Sequence, residues 1–266
     1  MAATVGVGPL VKEWRGRRRR SQLDLALEVG VSARHLSFVE TGRSKPSPEL
    51  VLTLADHLDV PLRERNTLLL AAGYAPRYRE TPLHDPSMDQ VRASMDRLLA
   101  AHDPYPGVVI DAHWDVVVAN QAAGLLTSLL PPPLAGPPLN VFRACLHPDG
   151  LARLTRNLDA WATYLLGELH RMVVATADPV LVDLEQEIHG YPNLAALVGS
   201  GGWLDDSAPG LLIPVELDLG GQVLSLFTTL TSFGTPRDIT LAELAVELFY
   251  PADEPTEAAL RALASS

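Results

Sequence analysis

Apolar residues recur in the first eighty positions with the spacing of short helices. One apolar stripe consists of Leu23, Leu25, Ala26 and Val29, and a second consists of Leu36 and Val39. Ser21 and Ser32 precede the two stripes, where a serine hydroxyl can accept a backbone amide hydrogen and cap a helix. Gly30 lies between them, and glycine readily adopts the left-handed conformation of a tight turn. The pattern therefore predicts a helix-turn-helix.

A proline-rich stretch separates this region from the rest of the chain. Pro76, Pro82 and Pro86 mark residues 76–87 as a linker. The sequence therefore predicts two domains, a helical one at 1–75 and a second at 88–266.

The second domain mixes helical and strand periods. Helical spacing occurs at 88–101, after Asn120, at 151–176 and after Asp178, and two short strands surround a turn at 111–113. Beyond Gly210 the period changes to two, and segments 211–219 and 223–233 flank Gly220 and Gly221, which indicates a hairpin followed by a further strand at 244–253. Strands on both sides of a helical insert predict an α+β domain, with a five-stranded antiparallel sheet and helices against one face.

Composition narrows the class of protein. The 266 residues are 47% hydrophobic and 20% charged, which is typical of globular domains. Cys145 is the single cysteine, so an internal disulfide is excluded, as suits a reducing cytoplasm. No segment reads as a signal peptide or as an apolar span long enough for a bilayer, so we expect a cytoplasmic protein without a membrane partner.

Charge is distributed unevenly. Residues 1–80 contain 13 Lys and Arg against 9 Asp and Glu, whereas the remainder contains 8 basic and 23 acidic residues. This asymmetry favours a polyanion as the partner of the first domain only.

The first region resembles the lambda-repressor-like, Xre-type DNA-binding domains over residues 8 to 75. The resemblance is carried by Gln22, Ala26, Gly30, Leu36 and Val39, followed by Glu40, Gly42, Pro46 and the pair Leu54–Ala55. It implies an all-α fold of five helices whose third helix enters the major groove of double-stranded operator DNA. Heads of this type bind as dimers to half-sites roughly 34 Å apart, so a homodimer is expected.

This resemblance assigns DNA contacts to nine residues. They are Gln22, Ser32, Ala33, Arg34, Ser37, Phe38, Thr41, Arg43 and Lys45. Arg34 is the candidate for direct readout because a guanidinium can form two hydrogen bonds with guanine. Ala33 and Ser37 would make smaller contacts, while Gln22, Thr41, Arg43 and Lys45 would lie near phosphates. The alternative is that Arg34 is only a solvated surface arginine.

An arginine run precedes the predicted helix-turn-helix. In the segment EWRGRRRR, residues 13–20, the arginines cannot all face one groove, because neighbouring helical residues point about 100° apart. Some are expected near phosphates, and others are expected to pair with acids such as Asp24 and Glu28.

The second domain has PAS-like features, since WDVVVANQAAGLL resembles the opening of a PAS fold. More narrowly, it resembles the MmyB-like ligand-binding domain of bacterial transcription regulators from about residue 85 onward. The resemblance is carried by NVFRACLHPDGLARLTRNL, FGTPRDITLAELAVELFYPADEPT, Trp114–Asp115 and Asn120. It implies a pocket for a small lipophilic molecule, and some relatives are associated with fatty acids.

Aromatic residues are the candidates for lining that pocket. Phe142, Trp161, Tyr164 and Phe227 could contact a ligand, or could simply be core residues. Arg143 and Arg156 could pair with a carboxylate head group, or could be solvated. Cys145 is expected to be a small core residue.

The sequence contains few features that would indicate an enzyme. The sequence has no glycine-rich phosphate loop, no His-Glu-x-x-His and no Gly-x-Ser-x-Gly, so no catalytic residue, metal site or cofactor is assigned. The sequence thus predicts a DNA-binding transcription regulator controlled by a small lipophilic, fatty-acid-like ligand. Two alternatives stay open: a head that contacts proteins instead of DNA, and an enzyme acting on a small lipophilic substrate.

Overall fold

The computed structural model describes residues 6–201, 203 and 212–264. The chain forms two compact units. The first comprises Met1–Pro82 together with Thr235–Ala242, and the second comprises Leu83–Gly234 together with Glu243–Ser266. Among the described residues, no helix combines the length and the apolar character that a membrane crossing would require.

The first unit contains the five predicted helices. They are α1 (Val7–Arg17), α2 (Gln22–Glu28), α3 (Ala33–Glu40), α4 (Pro48–His57) and α5 (Leu62–Ala71). Their apolar faces meet in one core, in which Val11, Leu25, Leu36 and Leu54 are fully buried. The prediction of an all-α, five-helix head is therefore confirmed.

Two serine caps explain why the helices begin where they do. The hydroxyl of Ser21 accepts a hydrogen bond from the backbone amide of Asp24 at 3.1 Å, and Ser32 accepts one from His35 at 3.1 Å. Gly30 has a φ of 71°, so it takes the left-handed conformation expected for the turn between α2 and α3.

Polar contacts tie the chain beyond α5 to the first unit. The side-chain oxygen of Asn66 accepts hydrogen bonds from the amides of Arg77 (2.9 Å) and Tyr78 (3.0 Å). The Thr81 hydroxyl donates to Asp238 at 2.6 Å. Residues 77–81 are therefore ordered by specific partners rather than left as a free tether.

The second unit is an α+β domain, as predicted. Its helices are α6 (Asp89–His102), α7 (Gln121–Thr127), α8 (Pro132–Ala135), α9 (Val141–Leu146), α10 (Leu158–Thr176), α11 (Pro179–His189), α12 (Ala195–Ser200), α13 (Ile239–Glu243, which begins in the first unit) and α14 (Glu254–Leu263). Its strands are β1 (Gly107–Ile110), β2 (Val116–Ala119), β3 (Val215–Asp218), β4 (Val223–Ser232) and β5 (Ala245–Pro251). They form one antiparallel sheet in the order β2-β1-β5-β4-β3. Leu211, at the start of the predicted first hairpin strand, lies outside the described residues.

Helices cover both faces of this sheet, so the prediction of helices against one face was wrong. Val109 and Val246 pack with Met95 of α6 on one side, while Val108 belongs to the larger core that contains Trp161 of α10. All four residues of β1 are buried. An uninterrupted apolar strand such as GVVI is typical of burial on both faces, whereas a half-exposed strand alternates.

The long helical pattern predicted at 151–176 is interrupted. Leu151–Leu154 form a 3₁₀ turn, and α10 begins only at Leu158. Between them the Asn157 side chain donates to the carbonyl of Pro214 at 2.7 Å and accepts from the amide of Glu216 at 3.0 Å. Contacts with the chain around β3 therefore replace the continuous helix that local spacing predicted.

Candidate functional site

The first turn of α3 presents the predicted readout residue to solvent. Arg34 is exposed, whereas Leu36 and Val39 of the same helix are buried in the core. Ser32 is exposed at the helix start, and Ala33 and Ser37 are half-buried beside it. These are the positions from which side chains of such a helix can reach base edges.

Phe38 brings two of the predicted contact residues together. The guanidinium carbon of Arg34 lies 5.3 Å from the centroid of the Phe38 ring, and that of Arg43 lies 5.9 Å from it. Both distances are in the range of cation–π contacts. Phe38 therefore supports one arginine from α3 and one from the turn after it.

The turn after α3 carries the remaining predicted contacts. The Thr41 hydroxyl donates to the carbonyl of Ser37 at 2.7 Å, and Gly42 has a φ of 73°. The Lys45 ammonium lies 4.6 Å from the ring centroid of Tyr74. Thr41, Arg43 and Lys45 are all exposed, as side chains near phosphates must be.

Gln22 has a second role that sequence reasoning missed. Its amide donates to the carboxylate of Glu40 at 2.7 Å. Arg15 donates to the same carboxylate, from Nε to Oε1 at 2.7 Å and from Nη2 to Oε2 at 3.0 Å. These three residues join α1, α2 and α3. The signal was present, because an acid beside Val39 on the buried side of α3 requires a partner.

The environment of Glu40 favours its charged form. Burial raises the pKa of this carboxyl, but the hydrogen bonds from Arg15 and Gln22 outweigh it, so the net pKa lies below the usual value. The reciprocal hydrogen bond raises the pKa of Arg15 despite partial burial. The pair therefore remains ionised at neutral pH and fixes α3 against the other helices.

Gly8 permits a close approach between α1 and α3. A Cβ atom at this position would lie 2.4 Å from the carbonyl oxygen of Val39 and 2.6 Å from that of Glu40. Both obstacles are backbone atoms, so a side chain at residue 8 would force the two helices apart.

The arginine run is largely occupied by intramolecular partners. Arg17 pairs with Glu13 at 2.5 Å, and Arg20 pairs with Glu28 at 2.5 Å. Arg18 donates to the carbonyl of Leu58 at 2.8 Å. Pairing with Glu28 was predicted, whereas Asp24 instead accepts from the hydroxyl that caps its own helix.

The aromatic ligand-site candidates do not converge on one pocket. Phe142 is fully buried, with its ring stacked 4.6 Å from that of Trp114. Trp161 and Tyr164 lie together on α10, with ring centroids 5.2 Å apart.

Phe227 lies on the opposite face of the sheet from these residues. It pairs with Tyr250 across β4 and β5, and the two rings stack at 5.4 Å. Its neighbour Thr228 points to the inner face, toward Tyr164 of α10. The alternation of side chains along a strand therefore separates Phe227 from the other three candidates.

Both candidate head-group arginines are held by carboxylates. Arg143 pairs with Glu187 at 2.7 Å, and this hydrogen bond raises the pKa of Arg143. Arg156 pairs with Asp218 at 3.3 Å. A ligand carboxylate would have to compete with these intramolecular partners.

An apolar cavity that sequence reasoning missed opens elsewhere on the second unit. Its volume is about 420 Å³, which is within the range of small-molecule sites. Leucines from three places line it, namely Leu125 and Leu126 of α7, Leu219 and Leu224 of the β3–β4 hairpin, and Leu260 and Leu263 of α14. Asp103, Gln121 and Ser128 are its polar lining residues. No local pattern could reveal it, because its walls come from distant parts of the chain.

Two family models match the chain. The model described as MmyB-like transcription regulator ligand binding domain matches residues 91–263, which is more than half of the chain. A helix-turn-helix model matches residues 11–65. A comparison with curated proteins found no match.

Proposed function

The chain belongs to the family of MmyB-like transcription regulators, and from that premise we propose that Arg34 reads operator DNA under the control of a lipophilic ligand. A helix-turn-helix head and a ligand-binding domain in one chain are the parts of a ligand-regulated transcription regulator. What we propose beyond this is which residues contact DNA, that the ligand is lipophilic, and that the chain acts as a homodimer.

One observation carries the DNA assignment. Arg34 is exposed at the start of a helix that a buried ion pair fixes in place, and its guanidinium rests 5.3 Å from the ring of Phe38. A guanidinium held in this way loses less conformational entropy on forming two hydrogen bonds with a guanine. Arg43, Lys45 and Thr41 then fix the register through phosphates, with Gln22 near the helix start.

The ligand is proposed to be lipophilic because the interior of the second unit is apolar. Phe142, Trp161 and Tyr164 are apolar or amphipathic residues facing the inner core, and the leucine-lined cavity adds about 420 Å³ of apolar space. Such surroundings favour apolar ligands with few polar groups.

We expect control by population shift in a cytoplasmic homodimer. Two heads would read half-sites roughly 34 Å apart, so a ligand that alters their spacing alters the fit to the operator. A ligand can shift this equilibrium only through different affinities for the two arrangements.

The DNA assignment is tested with oligonucleotides selected from a random pool. Substitution of Arg34 by alanine should reduce the preference for the selected sequence about 5- to 150-fold, as expected for one bidentate base contact. Arg97→Ala, at an exposed position of α6, is the matched control and should leave the preference unchanged. If the wild-type chain selects no sequence, or if R34A keeps the full preference, direct readout by Arg34 is excluded.

Ligand control is tested on the same full-length protein. Operator affinity is measured with 1-octanol, octanoate and octylamine, which share one apolar chain and differ in head group. At least one should change the affinity about tenfold, which corresponds to a coupling of about 1.4 kcal/mol. Unchanged affinity with all three would exclude control by a lipophilic ligand of this size.

A further inference from the structure

Part of strand β4 lies at an open edge of the sheet. On one side, residues 226–232 of β4 pair with β5, whereas on the other side β3 pairs only with residues 223–226. Residues 227–232 therefore have no strand beyond them among the described residues. Residues 229–232 are all exposed, and the exposed fraction of Leu230 is 54%.

The backbone groups of every second residue along this edge point away from the sheet. Ala252 donates its amide hydrogen to the carbonyl of Ser225 at 2.8 Å, so the backbone groups of Ser225 face β5. These groups alternate in direction along a strand, so those of Thr228, Leu230 and Ser232 face the open side. No hydrogen bond joins them to another described residue on that side. Their amides and carbonyls are therefore available to a further strand.

The chain protects the other edges of the sheet. At β3, the amide of Arg156 donates to the carbonyl of Glu216 at 2.8 Å. At the opposite end of the sheet, β2 is only four residues long, and the amide of Val116 donates to the carbonyl of Leu139 at 2.7 Å. Proteins commonly protect edge strands by such covering, by shortness, or by charges and proline. Residues 227–232 contain neither a charged residue nor a proline, so this edge lacks the usual protection.

The open edge is uncharged although it belongs to an acidic part of the chain. Residues 81–266 contain 23 acidic and 8 basic residues, whereas residues 219–236 contain none of either kind. Two copies of so acidic a unit repel each other at most points of contact, and they repel least at this edge. A basic partner would be attracted to the acidic surface elsewhere. The charge distribution therefore favours a second copy as the occupant of the edge.

We propose that β4 pairs with β4 of a second copy, in the antiparallel register that places Leu230 opposite Leu230 of the other copy. This rests on the proposed function, in which the chain acts as a homodimer, and it assigns the interface. A two-fold axis at Leu230 also places Thr228 opposite Ser232, so each outward-facing residue has a partner. Each opposed pair of this kind exchanges two hydrogen bonds.

The length of the open segment fits this register. β4 ends at Ser232, so the strand of the second copy ends opposite Thr228. β3 begins opposite Leu226, and it therefore lies beyond the end of the second strand. On the other face of the sheet, Thr229 of one copy lies opposite Thr231 of the other. Threonine pairs of this kind stabilise neighbouring strands.

The first test adds like charges to the open edge of the full-length protein. Thr229→Lys combined with Thr231→Lys places lysines opposite each other in the dimer, and like charges directly opposite destabilise a sheet. Sedimentation velocity over a dilution series should show that the dimer dissociation constant rises about tenfold or more. Thr229→Glu combined with Thr231→Glu should have the same effect. An equimolar mixture of the two variants should restore the dimer, a result that unfolded chains cannot produce.

A cysteine at the two-fold axis tests the register. The Cα atoms of a hydrogen-bonded pair lie about 5.5 Å apart, a separation that a disulfide can span. Leu230→Cys should therefore give a covalent dimer on mild oxidation. The matched controls lie at exposed positions of β2. Val117→Cys should give no covalent dimer, and Val117→Lys combined with Ala119→Lys should leave the dissociation constant unchanged.

Three results would overturn this interface. They are a wild type that is monomeric at every concentration, a T229K/T231K variant that dimerises as tightly as the wild type, and an L230C variant that does not cross-link. The first result removes the homodimer itself and leaves the edge to a strand of another protein, whereas the second keeps the homodimer and excludes only this edge. Readout by Arg34 is measured separately with the selected oligonucleotides, so its failure is distinguishable from failure of the interface.

Discussion

Arg15 and Glu40 form a two-point ion pair, with contacts of 2.7 and 3.0 Å, between the last turn of α1 and the last residue of α3. The Glu40 side chain is 1% exposed and that of Arg15 is 15% exposed, so solvent screens the pair poorly. The helix that carries Arg34 is thus fixed at its far end by a charge contact, and at its near end by the Ser32 cap.

Removing one member of this pair should open α3. Glu40→Ala leaves the Arg15 charge without its partner, and losses of about 3 kcal/mol are typical of such broken buried pairs. Hydrogen exchange of the α3 amides in the full-length protein measures the opening free energy. Glu28→Gln removes the exposed Arg20–Glu28 pair and should change it by less than about 1 kcal/mol. Equal effects of the two substitutions would contradict the special role of Glu40.

The same pair predicts acid sensitivity of the head. The pKa of Glu40 in the folded protein lies below its unfolded value, so its contribution is present above the unfolded value of about 4.5 and is lost as pH falls through the folded value. The α3 amides of the wild type should therefore lose protection below about pH 4.5. Glu40→Gln should flatten this dependence, and an unchanged pH profile in that variant would refute the assignment.

Phe38 should control DNA affinity through the two arginines that its ring supports. Phe38→Leu removes the ring beneath Arg34 and Arg43, and exposed cation–π contacts are worth about 0.5–1 kcal/mol each. Operator affinity, measured by fluorescence anisotropy, should fall about 5- to 30-fold. Phe38→Tyr keeps the ring and should retain the affinity. A loss in F38Y as large as that in F38L would argue against support through the ring.

Salt dependence separates the phosphate contacts from base readout. Each phosphate contact contributes about 0.9 to the slope of log affinity against log salt concentration. Arg43→Ala and Lys45→Ala should each lower the slope by about one and weaken all sequences alike, whereas Arg34→Ala should act mainly on sequence preference. A slope that neither substitution changes would remove both residues from the phosphate set.

Asn120 should be required for stability of the second unit. Its side-chain oxygen accepts from the amides of Gly107 and Ala123, both at 3.0 Å, and its amide donates to the carbonyl of Tyr105 at 2.8 Å. Asn120→Ala leaves these buried groups unpartnered and should destabilise the unit by about 2–4 kcal/mol. Gln121→Ala, at the exposed neighbouring position, is the control in thermal unfolding. Similar melting of both variants would refute the prediction.

The buried acid Glu247 should lower stability as pH rises. Because its pKa is raised from 4.5 to about 7, the folded protein retains the proton longer, and stability falls between those two values. Glu247→Gln should therefore become more stable than wild type across this interval, by up to about 3 kcal/mol above pH 7. Unfolding in urea at pH 5 and pH 8 measures the difference. A constant difference at both values would show that Glu247 titrates normally.

Local signals in the sequence sufficed for the helix caps, the glycine turn and the approximate positions of the five strands along the chain. Ser21, Ser32 and Gly30 act within three or four residues, so their roles follow from nearest neighbours. The Arg15–Glu40 pair joins positions 25 residues apart, and the break before α10 depends on Asn157 reaching the chain around β3. Such contacts exist only once the chain has folded, so no periodicity encodes them.

In the second unit, too, the surroundings of individual residues could not be predicted from their sequence neighbours. Phe227 was grouped with Trp161 because both are aromatic. However, side chains alternate along β4, and this alternation places Phe227 on the other face of the sheet. Glu247 was not singled out, because a single acid in an apolar strand usually faces solvent. Its importance follows from burial, which depends on α10 and could not be inferred from β5 alone.

The close approach at Gly8 determines the distance between α1 and the end of α3. Because α1 rests directly on the carbonyl oxygens at the end of α3, even the methyl group of an alanine at position 8 would push the two helices apart. The lack of a side chain at position 8 thus sets how closely α1 packs against the C-terminal end of α3, the helix that carries Arg34.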